Sequence, residues 1–308
     1  MLEKSVTNNQ DQDQAQNYWE TNPNAAYSSS QWTSNPIIAE IVYQRMSGGQ
    51  SKKHWLTWLI EDYFAGQKFE SLLSPGCGIG DHEVIVAKSG IVKTIDAFDF
   101  SQASLEIARQ NASNAGATIN FYQDDLNAFT VIDEKKYDLV LCSGSLHHVK
   151  ELERFLAIIQ KCLKSNGYFI INEYVGDCYN IYNKQQIKII NRLYKCFPDV
   201  LRAGARGEFQ NHTIEQAIAT DPSECVRSKL ILPFLENYFD MEVYHPFGGG
   251  LLHPLYPLLD HNQFLDDKNP AALTILKLLL EFEAILMEMP GGLETDFCLS
   301  ILRHKKSG

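Results

Sequence analysis

The adjacent pair His147 and His148, a third imidazole at His253, and the carboxylate of Glu173 are the side chains of this chain suited to moving a proton. Imidazole titrates near neutral pH, so it can act as a general base without a large shift from its surroundings. His147 and His148 follow the apolar run that begins at Tyr137, and Glu173 closes a second such run. His253 follows Gly248-Gly-Gly250 among Leu251, Leu252, Pro254 and Leu255. Either member of the pair can be the base, with His148 preferred, or the Leu146-His-His148 turn can simply pack and cap the next helix. His253 points into an acceptor pocket or satisfies a loop carbonyl. Glu173 orients a hydroxyl or acts as the base. Neighbouring side chains diverge, so these residues are not expected to chelate a metal.

A second group of residues has the chemistry of nucleoside binding. Ser71-Leu-Leu-Ser-Pro-Gly-Cys-Gly-Ile-Gly-Asp81 reads as a buried strand, a glycine turn and a helix start, the sequence form of a crevice that holds a nucleoside at a strand's carboxyl end. Gly76, Gly78 and Gly80 allow positive φ and a close approach to the backbone, with Cys77 between the first two. The spacing is G-x-G-x-G, not the dinucleotide G-x-G-x-x-G, and no P-loop lysine follows. Asp99, just before Phe100, is placed to accept hydrogen bonds from both ribose hydroxyls. Asp124 or Asp125 can accept from the adenine amine, with the N–H of Leu126 serving a ring nitrogen. Asp125 is preferred, and the other is a solvated loop residue.

Strand-like runs occur near residues 70–75, 93–99, 118–123, 137–142 and 168–175, with helix-length segments at 80–89, 101–115 and 151–164 between them. That alternation predicts an α/β fold with parallel strands and crossover helices. Ser101 starts one helix, and Asn166-Gly167 marks a turn. Further on, 181–197, 213–238 and 270–289 read as helices, and 239–247 and 296–303 as strands. An amphipathic helix covers 51–65 and an apolar helical pattern runs from Ile37 to Met46. Trp19 and Trp32 are either lid residues over a bound cofactor or anchors that pin the arm to the core. The domain reading is an N-terminal arm and lid over 1–48, a cofactor-binding core over 49–176, and helical lid insertions with the last two strands over 177–308.

The chain has 308 residues, 44% of them hydrophobic, a net charge of −11 and a pI near 5.3. Such a surface repels nucleic acid in the absence of a basic patch, and none is evident. No apolar run reaches membrane-spanning length. The first ~15 residues are polar and expected to be mobile. Seven scattered cysteines without metal spacing, and no secretory signal, point to a reducing cytoplasm. Tyr179, Tyr182, Phe197, Phe209, Phe247, Tyr256 and Phe264 suggest a partly apolar small-molecule partner.

The ordered series 71–81, 96–101, 123–127, 137–149 and 163–173 resembles the class I S-adenosylmethionine (SAM) methyltransferases. That resemblance implies a Rossmann-like, seven-stranded, mainly parallel sheet with helical lid insertions, and SAM as cofactor. It implies that Gly76, Cys77, Gly78 and Gly80 lie against methionine and sugar, with Cys142 and Ser143 beneath the methionine. SAM carries no phosphate, so no metal is implied for the cofactor. Glu173-Tyr-Val-Gly176, Gly248-Gly-Gly-Leu-Leu-His253 and the late helix before the last strand resemble a bacterial subgroup found in natural-product and glycan pathways, and the size and style of the chain are similar to those of natural-product O-methyltransferases of the microcystin-tailoring type. Asp177-Cys-Tyr-Asn180 departs from that subgroup. The expected activity is O-methylation of a small secondary metabolite, with N-methylation or a silent SAM-binding module as alternatives.

Overall fold

The seven runs read as strands all pair into one sheet. The computed structural model describes residues 6–25, 28–130, 134–204, 207–265 and 269–305. The strands are β1 (Phe69–Pro75), β2 (Val92–Asp99), β3 (Asn120–Gln123), β4 (Tyr137–Ser143), β5 (Leu163–Tyr174), β6 (Phe239–Gly248) and β7 (Phe297–His304). Their order is β3-β2-β1-β4-β5-β7-β6. The first five are parallel, and β7 runs antiparallel to both β5 and β6. Strand order reverses between β1 and β4, where an open sheet parts its loops and leaves a crevice.

Twelve α-helices are described: α1 (Val6–Thr21), α2 (Pro36–Met46), α3 (Trp55–Trp58), α4 (Asp81–Ser89), α5 (Gln102–Ala115), α6 (Leu152–Cys162), α7 (Lys184–Cys196), α8 (Ile214–Thr220), α9 (Ile231–Tyr238), α10 (Leu252–Leu255), α11 (His261–Leu265) and α12 (Pro270–Glu288). Side chains alternate across the sheet as strand geometry requires. Leu72, Leu139, Leu141 and Ile170 join the core built with α2, α3, α7 and α12. Leu73, Val140, Phe169 and Ile171 join the core built with α6 and α9.

Three expectations need correction, and the mobile N-terminus expected over the first ~15 residues falls partly outside the described residues. The stretch is helical over Val6–Thr21, and tertiary contacts tie it to the core. Glu20 accepts the N–H groups of Gln102 and Ala103 at the start of α5 (2.7 and 2.9 Å), and Gln14 donates to the carbonyl of Ala219 (2.7 Å). The helix expected over 213–238 is broken into α8 and α9, because Asp221-Pro222 imposes an extended conformation and a turn. The helix expected over 51–65 is a single α-turn continued by a π-turn, Leu59–Tyr63. Asn166-Gly167 is a bulge inside β5 and not a turn before it. Tyr137 pairs with Leu163, but Leu139 pairs with Tyr168. A Cβ on Gly167 would sit 2.9 Å from the Asp138 carbonyl, so this approach requires glycine.

Ser101 caps α5 by accepting from Ser104 N–H, as its position predicts. The buried Glu283 on α12 organises the glycine loop after β6. One oxygen accepts the N–H groups of Gly249, Leu251 and Leu252 at 3.0, 3.1 and 3.1 Å, and the other pairs with Arg45 at 2.8 Å. That nest holds α10 and its His253 against the cavity.

Candidate active site

At the switch point, Gly76 and Cys77 both donate to the Phe98 carbonyl (2.8 and 3.0 Å), tying the glycine turn to the tip of β2. The three glycines have different duties. A Cβ on Gly76 would meet Ser145 at 2.6 Å, and one on Gly80 would meet Ala108 at 2.9 Å, so those two serve packing. Gly78, at φ +53°, faces open space. Its N–H donates to Asp99 Oδ2 at 2.9 Å, and Ser101 N–H donates to Oδ1 at 2.9 Å. Burial pushes the Asp99 carboxyl pKa upward against these two bonds. Each oxygen keeps a lone pair for another donor.

A cavity of about 1620 Å³ spreads from this turn across the carboxyl edge of the sheet. Gly76, Cys77, Gly78, Asp99, Phe100, Asp125, Leu126, Ser143, His148 and His253 of the sequence candidates line it. Gly80, Asp124, Cys142 and Glu173 stand outside its lining. Asp124 caps the loop by accepting Asp125 N–H at 2.8 Å, and the Cys142 thiol is wholly buried in the core. Asp125 accepts Asn127 N–H and a side-chain bond from Gln12 of α1. Trp19 donates its indole N–H to Asp221 at 3.0 Å and sets its ring edge-on to His148, with centroids 5.5 Å apart. Trp32 is 2% exposed and stacks on Phe247 while also lining the cavity.

The imidazoles sit on the 3-10 turn Leu146–His148 after β4. Glu173, fully buried on β5, secures that turn. Its Oε1 accepts the N–H groups of Ser145 and Leu146 (2.7 and 2.6 Å), and its Oε2 lies 2.8 Å from His147 Nδ1. His148 Nδ1 lies 3.0 Å from Ser223 Oγ and 3.2 Å from its carbonyl. Separate anchors thus draw the rings the same way. They do not diverge, and their centroids are 4.3 Å apart. Their Nε2 atoms lie 3.9 and 3.7 Å from Glu224 Oε2. Burial opposes charge on His147, but Glu173, Glu224 and Asp221 outweigh it and push its pKa up to about 9. Burial and the charge of His147 lower that of His148. His253 packs against Phe297 and Tyr174, with Nδ1 3.1 Å from the Tyr182 hydroxyl, and burial lowers its pKa to about 4.

Sequence reasoning missed Asp221, Ser223 and Glu224, because it placed them inside a helix. The Asp-Pro dipeptide at 221–222 was the available signal.

These residues fit SAM. Open backbone at Gly78 leaves room for a chain to pass close by, and carboxylates stand at the tip of β2 and beyond β3, where ribose and adenine need acceptors. The site and the 3-2-1-4-5-7-6 sheet define a class I SAM-dependent methyltransferase. The chain belongs to the methyltransferase domain family, which residues 67–222 match, about half of its length. It is similar to the ubiquinone biosynthesis O-methyltransferase of Histophilus somni (strain 2336), 33% identical over 115 residues that cover 35% of this chain and 46% of that protein. The enzyme of the same name from Pasteurella multocida (strain Pm70) is 30% identical over 127 residues, covering 37% and 52%. The chain thus spans about half the length of these curated relatives. Among solved structures, a SAM-dependent methyltransferase from Mesorhizobium loti aligns with a TM-score of 0.44 and 17% identity, over 77% of this chain and 92% of the other. The PH0226 protein from Pyrococcus horikoshii OT3 aligns at 0.45 and 14%, over 84% and 93%. SAM is the cofactor of this family. No described helix is long and apolar enough to cross a membrane.

Proposed function

We propose that this protein methylates a hydroxyl oxygen of a partly apolar small molecule, as a tailoring enzyme of secondary metabolism in the cytoplasm. One observation carries this reading: two imidazoles, each anchored through Nδ1, turn their Nε2 atoms into the cavity that holds the glycine turn. When bound, SAM supplies an electrophilic methyl group on a sulfonium. Asp99 accepts from the ribose, Asp125 from the adenine amine, and the backbone of Gly76 to Gly78 borders the amino-acid portion. The acceptor hydroxyl arrives at the Nε2 face of the pair and gives up its proton to His148, whose lowered pKa leaves a lone pair free, while His147 keeps its charge beside Glu173. Glu173 is a positioning residue behind His147. His253, held neutral by its low pKa, forms part of the apolar wall with Phe247 and Phe297. The described residues of the arm before position 49 and of the helices beyond position 176 act as the lid that excludes water and orients the acceptor, and orientation contributes much of the rate of such a displacement. The curated relatives carry the name O-methyltransferase, which supports oxygen as the acceptor atom.

The test is transfer of labelled methyl from SAM to a panel of phenols, catechols, aliphatic alcohols, amines and carboxylic acids. Turnover on hydroxyl compounds is the expected result. Turnover confined to amines overturns the oxygen reading. Tight SAM binding without turnover across the panel replaces the enzyme with a binding module.

A further inference from the structure

We infer that Nε2 of His147, Nε2 of His148 and Oε2 of Glu224 form a site for one divalent cation. One ligand atom from each of the three residues lies within 4.8 Å of the other two. The two N···O separations, 3.9 and 3.7 Å, are too long for hydrogen bonds. They suit donors that share an ion: with ligand distances of about 2.1 Å, pairs of donors stand roughly 3 to 4 Å apart.

The surroundings assign the lone pairs. Glu173 accepts from His147 Nδ1–H, so Nε2 is the ring atom left for an ion, which would displace any proton there on binding. Ser223 is settled by a further bond. Its hydroxyl and its N–H both donate to Asp221 Oδ1 (2.7 and 2.8 Å). The Ser223 oxygens therefore face His148 Nδ1 as acceptors, and the His148 Nε2 lone pair also points inward. Glu224 is held by its other oxygen, which accepts from Asn180 at 3.2 Å. Each ligand is thus fixed through the atom that would not touch the ion, as in metal centres whose histidines are oriented by a carboxylate or carbonyl behind them. Glu173, Glu224 and Asp221 gather negative charge around the point where the three ligand atoms converge.

Two imidazole nitrogens and one carboxylate oxygen suit Zn²⁺, Mn²⁺, Fe²⁺ or Co²⁺ better than Mg²⁺ or Ca²⁺, which prefer oxygen throughout. All three ligands line the cavity, so further coordination positions open toward the acceptor. The role of the ion rests on the O-methylation reading. With the ion bound both Nε2 lone pairs are occupied, so the acceptor oxygen would bind the cation and release its proton to solvent at neutral pH, as metal-bound water does, instead of to an imidazole. The inference also revises the expectation that the histidine pair binds no metal.

The test uses full-length protein stripped with a chelator and titrated with Co²⁺ by visible absorption and with Zn²⁺ by calorimetry. One equivalent should bind. His148→Ala and Glu224→Ala should weaken binding at least tenfold. Glu173→Gln should weaken it by about 10- to 100-fold, the effect of losing a partner behind a ligand, while S-adenosylhomocysteine binding and circular dichroism confirm the fold. His304→Gln, remote from the cavity, should bind like wild type. Absence of stoichiometric binding, or equal binding by Glu224→Ala, overturns the site. Stoichiometric metal with no transfer to hydroxyl compounds supports the site and overturns the O-methylation reading. Undiminished transfer to phenols in metal-free protein overturns the ion's role and leaves the O-methylation reading standing.

Discussion

Glu173 Oε2 stands 2.8 Å from His147 Nδ1, while Oε1 of the same carboxylate holds the N–H groups of Ser145 and Leu146. One buried acid therefore shapes the turn after β4 and aims the imidazole it carries. Replacing Glu173 by Gln keeps one acceptor for the turn but sets an amide N–H against His147 Nδ1. We expect a loss of about 1–3 kcal/mol in urea unfolding. Affinity for S-adenosylhomocysteine should stay within about twofold, and kcat should fall more than KM changes, because the residue acts through His147. Unchanged kcat would show that the pair only braces the fold.

Asp99 and Asp125 line the cavity, whereas Asp124 caps a loop outside it. Calorimetry with S-adenosylhomocysteine should find Asp99→Ala and Asp125→Ala each weaker by roughly 10- to 100-fold, the value of a hydrogen bond to a charged group. Asp124→Ala should lie within about threefold of wild type. The reverse ranking of Asp124 and Asp125 would exchange their roles.

Trp19 links α1 to the broken segment through Asp221 and packs edge-on to His148. If α1 is a lid, Trp19→Ala should weaken S-adenosylhomocysteine binding by up to about tenfold, from one aromatic contact and one hydrogen bond. Dissociation should speed up by a similar factor, with little change in thermal stability. A large drop in stability with unchanged dissociation would make α1 a brace.

Asp296 precedes β7 with its carboxyl buried. Burial pushes its pKa from 3.8 to about 7, against a hydrogen bond from Gln186. The folded form therefore holds a proton that the unfolded chain has released between about pH 4 and 7. Its contribution to stability is fully present below pH 4 and is lost as pH rises through 7. Asp296→Asn should remove that slope, which is at most about 1.4 kcal/mol per pH unit. The stability difference between variant and wild type, measured by urea unfolding from pH 5 to 8, should grow in the variant's favour. A constant difference would place the Asp296 pKa in the ordinary range.

What was legible in the chain was local. Apolar runs separated by helix-length segments marked all seven strands, because parallel strands covered on both faces are apolar along most of their length. The glycine turn and the acid at the tip of β2 were readable because backbone freedom and strand ends leave short signatures. The tertiary structure alone decided which of two neighbouring aspartates faces the cavity, and that a polar arm folds as α1 over the site. It also decided that Glu173 points inward to brace His147. Above all, it set Glu224 opposite His147 and His148, from a break between two helices. The physical reason is that such contacts join segments remote in sequence, and no local period or turn signal encodes which remote residue a side chain will meet.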